Sequence, residues 1–151
     1  MSNGAMMSIT PLAIWSRHQN VEWLQNTIRL VVSFTHGKRE MHDLCTAYCL
    51  AIRTLIKNAN DQNRANLAQN AVQTFALKSD PIVNKWFLEA RQLHHDTREI
   101  PTFFGLEHYN TNENQGFCKH AFVLAFFCLM RSRLMPIEGF YDWAMMQTVK
   151  L

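Results

Sequence analysis

The sequence predicts an all-α protein, a compact orthogonal bundle of about seven helices. Apolar residues make up 48% of the 151 residues and charged residues 18%, so the chain can bury a core. Only 5 glycines and 4 prolines interrupt it, which leaves long stretches free to remain helical. Apolar residues recur at spacings of three and four, as in amphipathic helices. We expect residues 1–151 to form one helical domain.

Local start signals place the first two helices. Pro11 suits the first turn of a helix over about residues 12–17, and Asn20 can cap a second helix. Gly37 then breaks the chain. The residues of the second helix that we expect to face inward are Leu24, Ile28, Val31 and Val32.

The third helix has the clearest apolar face and should lie in the core. Asp61 is the predicted cap of the fourth helix, and Ser79 or Asp80, followed by Pro81, opens the fifth. The predicted inward residues are Met41, Leu44, Cys45, Tyr48, Ile52, Leu55 and Ile56 in the third helix, Leu67, Ala68, Ala71, Val72 and Phe75 in the fourth, and Ile82, Trp86, Ala90 and Leu93 in the fifth.

Residues 96–115 show no periodicity, which predicts a functional loop or disorder. Gly116 then starts a helix over about residues 117–130 that is apolar on nearly every side, as in the centre of a bundle. Pro136 opens a last amphipathic helix.

The composition argues against several classes of partner. The net charge is +3, and the 15 lysines and arginines are scattered, whereas a nucleic-acid-binding protein concentrates them on one face. The longest apolar run, residues 121–130, is too short to cross a bilayer. The four cysteines form no CxxC pair and no secretory signal is present, so we expect reduced thiols and a cytoplasmic or otherwise intracellular protein with neither nucleic-acid nor membrane partners.

Metal-site and catalytic patterns are weak in this sequence. His42, Cys45 and Cys49 share one helical face, but three ligands on one helix cannot close a tetrahedral zinc site. The two cysteines also lie in a core stripe, where cysteine acts as a small hydrophobe. The pair His94-His95 is a second, equally weak candidate. No GxSxG, phosphate-loop or paired-carboxylate motif occurs, so we predict no catalytic and no metal-binding residue within this chain.

Three glycine-containing turns adjoin apolar helices: Asn3-Gly4, Thr35-His36-Gly37 and Gln115-Gly116. A glycine before a helix lets backbone N–H groups approach an anion, where the helix start favours negative charge. Such glycines also simply separate helices, and these turns alone favour that second interpretation. His36 lies in a polar turn and is therefore more available to a ligand than a core histidine.

Taken in order, these turns resemble motifs of the ADP-ribosylglycohydrolase family, of the dinitrogenase-reductase-activating glycohydrolase and J1-crystallin type. The stretch SNGAMMSITPLA at residues 2–13 is similar to the family's middle motif, and Thr35-His36 matches its Thr-His pair. AYCLAI at residues 47–52, GFCKHAF at 116–122 and residues 141–145 match three further helices. The resemblance is to the central portion of the family's fold.

The resemblance implies an all-α enzyme that hydrolyses the glycosidic bond linking ADP-ribose to a protein side chain or a small molecule, assisted by two magnesium ions. Its partner would be ADP-ribose or an ADP-ribosylated protein. Asn3 and Gly4 would contact the ribose and diphosphate, and His36 the distal ribose or a phosphate. Gly116 and Phe117 would approach the diphosphate and adenine, since adenine stacks on aromatic rings.

Two departures from the family pattern qualify this expectation. Ser8 stands where the family usually has an arginine, which removes a bidentate donor. The family's two metal motifs would precede Met1 and follow Leu151, so magnesium is implied but its ligands are not in this chain. We therefore expect a partial domain that is inactive as an isolated chain. The alternative is a catalytically silent helical module that binds ADP-ribose or a protein partner.

Overall fold

The computed structural model describes residues 1–96 and 117–132, and over these residues the fold is all-α, as predicted. A single 3₁₀ turn, Ser16–His18, links the second and third helices. The predicted loop from residue 97 onward, Gly116 and the predicted helix after Pro136 lie outside the described residues. The helices are α1 Gly4–Ser8, α2 Thr10–Trp15, α3 Val21–Ser33, α4 Arg39–Lys57, α5 Arg64–Ala76, α6 Pro81–Asp96 and α7 Cys118–Arg131.

Three of the predicted helix starts are confirmed. Asn20 accepts a hydrogen bond from the backbone N–H of Trp23 at 2.7 Å and so caps α3. Asp80 accepts one from the backbone N–H of Ile82 at 3.0 Å at the start of α6, which Pro81 opens. Pro11 lies in the first turn of α2. These starts depend on neighbouring residues only, which is why the sequence reveals them.

The predicted cap at Asp61 is wrong. Its carboxylate accepts a hydrogen bond from the backbone N–H of Asn63 at 2.6 Å, and its carbonyl oxygen accepts one from Arg64. These two bonds close a turn before the helix, and α5 begins only at Arg64. A short acidic side chain readily bonds the backbone two residues ahead, and here that local turn takes the place of a helix cap.

Helix α4 lies at the centre of the described bundle, packed against α1, α2, α3, α5 and α6. Helix α7, which the sequence places at the centre, packs against α1, α5 and α6. The α6–α7 contact is aromatic: Phe87 meets Phe126 edge-on with ring centroids 5.3 Å apart, and Phe122 lies 4.6 Å from Phe126. Many predicted inward residues are buried, including Leu24, Ile28, Val32, Met41, Leu44, Cys45, Cys49, Ala68, Val72, Trp86 and Ala90.

Two inward predictions are wrong, since Val31 and Leu67 are exposed. In α3 the buried stripe runs through Leu24, Ile28 and Val32, and Val31 lies to one side of it. Helix α5 buries mainly small residues and therefore lies close to its neighbours, which leaves the longer Leu67 side chain outside. Other predicted positions are half-buried, and among them Tyr48, Ile52, Leu55, Phe75, Ile82 and Leu93 pack against the core.

Candidate functional site

The first motif and the beginning of α7 are in direct contact. Ser2 and Phe117 form an isolated antiparallel bridge, and the backbone N–H of Cys118 donates a 3.0 Å hydrogen bond to the carbonyl oxygen of Met1. The Asn3-Gly4 turn is therefore adjacent to Phe117, although the two lie far apart in the sequence. Two of the predicted ligand-binding motifs share one place in the fold.

The Asn3-Gly4 turn opens directly into α1. The carbonyl oxygen of Asn3 accepts a hydrogen bond from the backbone N–H of Met7 at 3.0 Å, while its side chain does not cap the helix. A Cβ atom added to Gly4 would meet only the hydroxyl oxygen of Ser2, at an ordinary 3.7 Å. The fold around Gly4 therefore has room for a side chain, and the glycine leaves this exposed backbone uncovered.

Ser8, where the family resemblance leads us to expect an arginine, bonds within its own helix. Its hydroxyl donates to the carbonyl oxygen of Gly4 at 3.0 Å and lies 3.2 Å from that of Ala5. The side chain is exposed at the end of α1. A hydroxyl in this position supplies no positive charge to the turn.

The ring of Phe117 is half-buried and is held by two edge-on aromatic contacts. Its centroid lies 5.7 Å from that of Trp86 at an interplanar angle of 81°, and 5.9 Å from the ring of His120 at 87°. Two such contacts fix the plane of the ring. The sequence assigns Trp86 to the core, where it is 3% exposed, but gives no sign that it also orients Phe117.

His36 lies in the turn between α3 and α4, and hydrogen bonds to both helices hold its backbone. Its Nδ1 atom is 2.8 Å from the hydroxyl of Thr35, and its backbone N–H donates to the carbonyl oxygen of Val32 at 2.7 Å. Nε2 of His42, in the first turn of α4, lies 2.9 Å from the carbonyl oxygen of His36. The imidazole of His36 is thus carried on a fixed turn.

The directions of the helices place the His36 turn and the Asn3-Gly4 turn at the same end of α4. The hydroxyls of Thr10 and Tyr48 are 3.4 Å apart, and further along Arg53 donates to the carbonyl oxygens of Arg17 and Gln19. The segment from α1 through the 3₁₀ turn therefore runs beside α4 in the same direction. Helix α1 lies toward the amino-terminal end of α4, the end that follows His36.

The cysteine thiols near the site are buried and protonated. Burial, with a smaller contribution from the nearby Cys118, raises the pKa of Cys45 to about 12. Burial also raises the pKa of the Cys118 thiol, and that of Cys49 is raised in the same way, with Cys45 adding to the effect. A neutral thiol is a poor nucleophile, and all three cysteines pack as core residues.

Asp43, a buried carboxylate of α4, is occupied by structural partners. Its Oδ2 atom accepts a 2.8 Å hydrogen bond from the backbone N–H of Asp80 and lies 3.5 Å from the guanidinium of Arg39. Within residues 1–96 and 117–132, no three histidine, cysteine, aspartate or glutamate side chains come together as metal ligands. This set of described residues does not fit a magnesium pair, which needs several converging oxygen ligands.

The described helices and their joined motifs thus define an all-α protein with a glycine-containing turn beside a fixed aromatic ring. The family model described as ADP-ribosylglycohydrolase matches residues 1–150, and the chain belongs to the ADP-ribosylglycohydrolase family. No match is found among curated proteins or among solved structures. In the part of the chain that the structure describes, no helix is both long and apolar enough to span a membrane.

Proposed function

We propose that this chain provides the ADP-ribose-binding surface of a glycohydrolase that cleaves the bond between ADP-ribose and a protein side chain or small molecule. The observation that carries the proposal is the contact between Ser2 and Phe117. It brings together two motifs that match the family and that would contact neighbouring parts of one nucleotide. The family match over residues 1–150 supports the substrate class.

The first motif and Phe117 would divide the nucleotide between them. The exposed backbone at Asn3 and Gly4 would receive the ribose and diphosphate, because no side chain at Gly4 blocks the approach. The face of Phe117 would stack on adenine, and its two edge-on neighbours would hold the ring in place for stacking. Gly116, which lies outside the described residues, would contact the diphosphate, as the family resemblance implies.

His36 would contact the distal ribose or a phosphate through Nε2. Its other ring nitrogen, Nδ1, is engaged by the hydroxyl of Thr35 at 2.8 Å. When that hydroxyl donates to Nδ1, the ring proton is on Nε2, which can then donate to a phosphate or ribose oxygen. When it donates instead to the carbonyl oxygen of Val32, 3.5 Å away, Nδ1 carries the ring proton and Nε2 would accept from a ribose hydroxyl.

For hydrolysis the family resemblance implies two magnesium ions, which would position and activate a water molecule. No segment of this sequence matches the family's acidic metal motifs. We therefore propose that the isolated chain binds ADP-ribose without needing magnesium and does not hydrolyse the bond by itself. The alternative is a silent helical module whose physiological role is binding alone.

Calorimetric titration with ADP-ribose, with and without magnesium, tests the proposal. We expect binding of similar strength in both, and about tenfold weaker binding for Phe117→Leu because stacking on an aromatic ring is lost. Phe75→Leu in α5 is the matched control and should leave the affinity unchanged. Failure of the unaltered chain to bind ADP-ribose would refute the proposed function.

A hydrolysis assay on an ADP-ribosylated protein separates the two forms of the proposal. Release of ADP-ribose on addition of magnesium would show that the chain holds its own metal ligands and would exclude a silent module. Binding without release, followed by release once the family's acidic motifs are fused to the chain, would identify the chain as the nucleotide-binding portion of an enzyme. Binding without release in both proteins would favour the silent module.

A further inference from the structure

The outer face of α3 carries a row of large apolar side chains that the core does not use. Trp23, Leu30 and Phe34 lie within about 40° of one another around the helix axis, from their spacings of seven and four residues. Leu30 is 63% exposed and Phe34, at the end of the helix, 82%. Trp15, which is 64% exposed, packs against Trp23 with ring centroids 5.3 Å apart. We call these four residues the α3 stripe.

The α3 stripe lies on the side of the helix opposite to the buried residues Leu24, Ile28 and Val32. Helix α3 is therefore apolar on two sides, and the core formed by residues 1–96 and 117–132 uses only one of them. Exposed apolar residues that adjoin one another mark interaction surfaces in soluble proteins, whereas isolated ones need no explanation. The paired indole rings and the exposed phenyl ring are of the residue types that are enriched at such surfaces.

A pair of opposite charges lies to one side of the stripe, about 100° from it around the helix axis. Glu22 and Arg29 are both exposed, and their spacing of seven residues puts them on one edge of α3, two turns or about 10 Å apart. No described residue forms an ion pair with either. If a second α3 lay antiparallel, each Glu22 would face Arg29 of the other copy, giving two equivalent ion pairs.

The apolar residues favour a register whose centre lies one residue away. Facing Glu22 with Arg29 centres the antiparallel pair between residues 25 and 26, and facing Trp23 with Leu30 centres it between 26 and 27. Phe34 would then extend over the Trp15–Trp23 pair of the second copy. A parallel two-fold pair would instead place equivalent edges on opposite sides of the interface, so neither Glu22–Arg29 pair would form.

We propose that the α3 stripe is the docking surface for a second copy of this chain, in a two-fold symmetric dimer built on antiparallel α3 helices. Such an interface is isologous, so a single surface must complement itself, and both the charges and the apolar residues of α3 do so. The proposal does not depend on ADP-ribose binding.

Sedimentation equilibrium of the whole chain over a range of concentrations tests the dimer. We expect a monomer–dimer equilibrium that Leu30→Glu shifts toward monomer by at least tenfold, because it places two carboxylates in the apolar contact. Leu77→Glu, at a leucine 72% exposed just after α5, is the matched control and should leave the equilibrium unchanged. Equal disruption by both variants would overturn the proposal.

Charge exchange tests the register. Glu22→Arg should weaken the dimer severalfold, and combining it with Arg29→Glu should restore the dimer, since the two ion pairs re-form with their signs exchanged. A double variant that is weaker than the single one would overturn the antiparallel register.

Cross-linking gives a second, geometric readout. Asn26→Cys places a thiol at the two-fold axis, so oxidation with copper-phenanthroline should yield a disulfide-linked dimer. Ser33→Cys lies about 20 Å from its counterpart in this register and should not cross-link. A chain that stays monomeric at every concentration overturns the proposal. For such a monomer, a lower melting temperature of Leu30→Glu would show that another part of the same chain packs on the stripe. An unchanged melting temperature would indicate that the stripe binds a different protein.

Discussion

Nε2 of His42 lies 2.9 Å from the carbonyl oxygen of His36, a bond that crosses from the first turn of α4 to the preceding turn. His36 is a predicted ligand-binding residue, whereas His42 is a weak zinc candidate in the sequence. The structure gives His42 a different role, because it holds the backbone that carries the His36 ring. His42 is therefore a positioning residue in the proposed ADP-ribose site.

Replacing His42 should weaken ligand binding without loss of the fold. His42→Ala removes one hydrogen bond, worth about 1 kcal/mol, so we expect about fivefold weaker ADP-ribose binding by calorimetry. His42→Gln keeps an N–H donor and should recover part of the affinity. His95→Ala, at an exposed histidine near the end of α6, is the control and should bind normally. Unchanged affinity in His42→Ala would show that this hydrogen bond does not position His36.

Gly4→Ala should separate the needs of the fold from those of the ligand. The added methyl group meets only Ser2 Oγ at 3.7 Å, so the unfolding free energy should be unchanged or up to about 1 kcal/mol higher. ADP-ribose affinity should nevertheless fall severalfold, because the methyl group would lie on the backbone that we propose receives the ligand. Asn60→Ala, at an exposed position between α4 and α5, is the control and should bind ADP-ribose normally. Normal binding by Gly4→Ala would remove Gly4 from the proposed site.

Arg53 should be important for stability. Its buried guanidinium donates to the carbonyl oxygens of Arg17 and Gln19, which fixes the connection between α2 and α3 on α4. Arg53→Ala leaves both carbonyl groups without these donors, so we expect a loss of about 2–4 kcal/mol in urea unfolding. Lys57→Ala, at the exposed end of the same helix, should cost less than about 0.5 kcal/mol. A similar small loss for Arg53→Ala would contradict this role.

Stability should fall in alkaline solution because of the buried thiols. Burial raises the pKa of Cys128 to about 12, whereas a thiol in the unfolded chain ionises near about 8.5. The unfolded state therefore releases its proton first. The thiol's contribution to the unfolding free energy is intact below about pH 8.5. It is lost progressively as the pH rises toward 12, at about 1.4 kcal/mol per pH unit.

Urea unfolding at pH 8 and pH 10 measures this dependence. The unfolding free energy should fall less between pH 8 and pH 10 in Cys128→Ala than in the unaltered chain. The difference should be about 2 kcal/mol, the contribution of one thiol. All other titrating groups are the same in both proteins, so the difference isolates Cys128. Equal losses would mean that this thiol ionises equally readily in the folded and unfolded states.

The sequence predicts those features of the fold that depend on interactions between residues close together in the chain. Asn20 and Asp80 are correctly predicted as helix starts because each bonds a backbone N–H two or three residues away. Asp61 is predicted incorrectly because two local bonding patterns compete at one residue, and the turn is the one formed. Val31 is exposed because the width of the buried stripe depends on the neighbouring helices as well as on periodicity.

The candidate site shows the same division. The family resemblance identifies candidate ligand-binding residues: Asn3, Gly4, His36 and Phe117. The match of the family model to residues 1–150 supports the resemblance. Trp86 and His42 could not have been found in this way, since nothing local to either residue indicates a contact with Phe117 or with the carbonyl oxygen of His36. Both act through orientation, which depends on how the helices pack.

The sequence by itself determined the helical class of this protein, most of its core residues and its family, because periodicity, caps and motifs are encoded in neighbouring residues. Only the tertiary structure decided that Ser2 contacts Phe117, that Arg53 fixes the α2–α3 connection, and that one apolar face of α3 is left exposed. The physical reason is that these features join residues distant along the chain. Their positions follow from the packing of whole helices around α4, which no local pattern specifies.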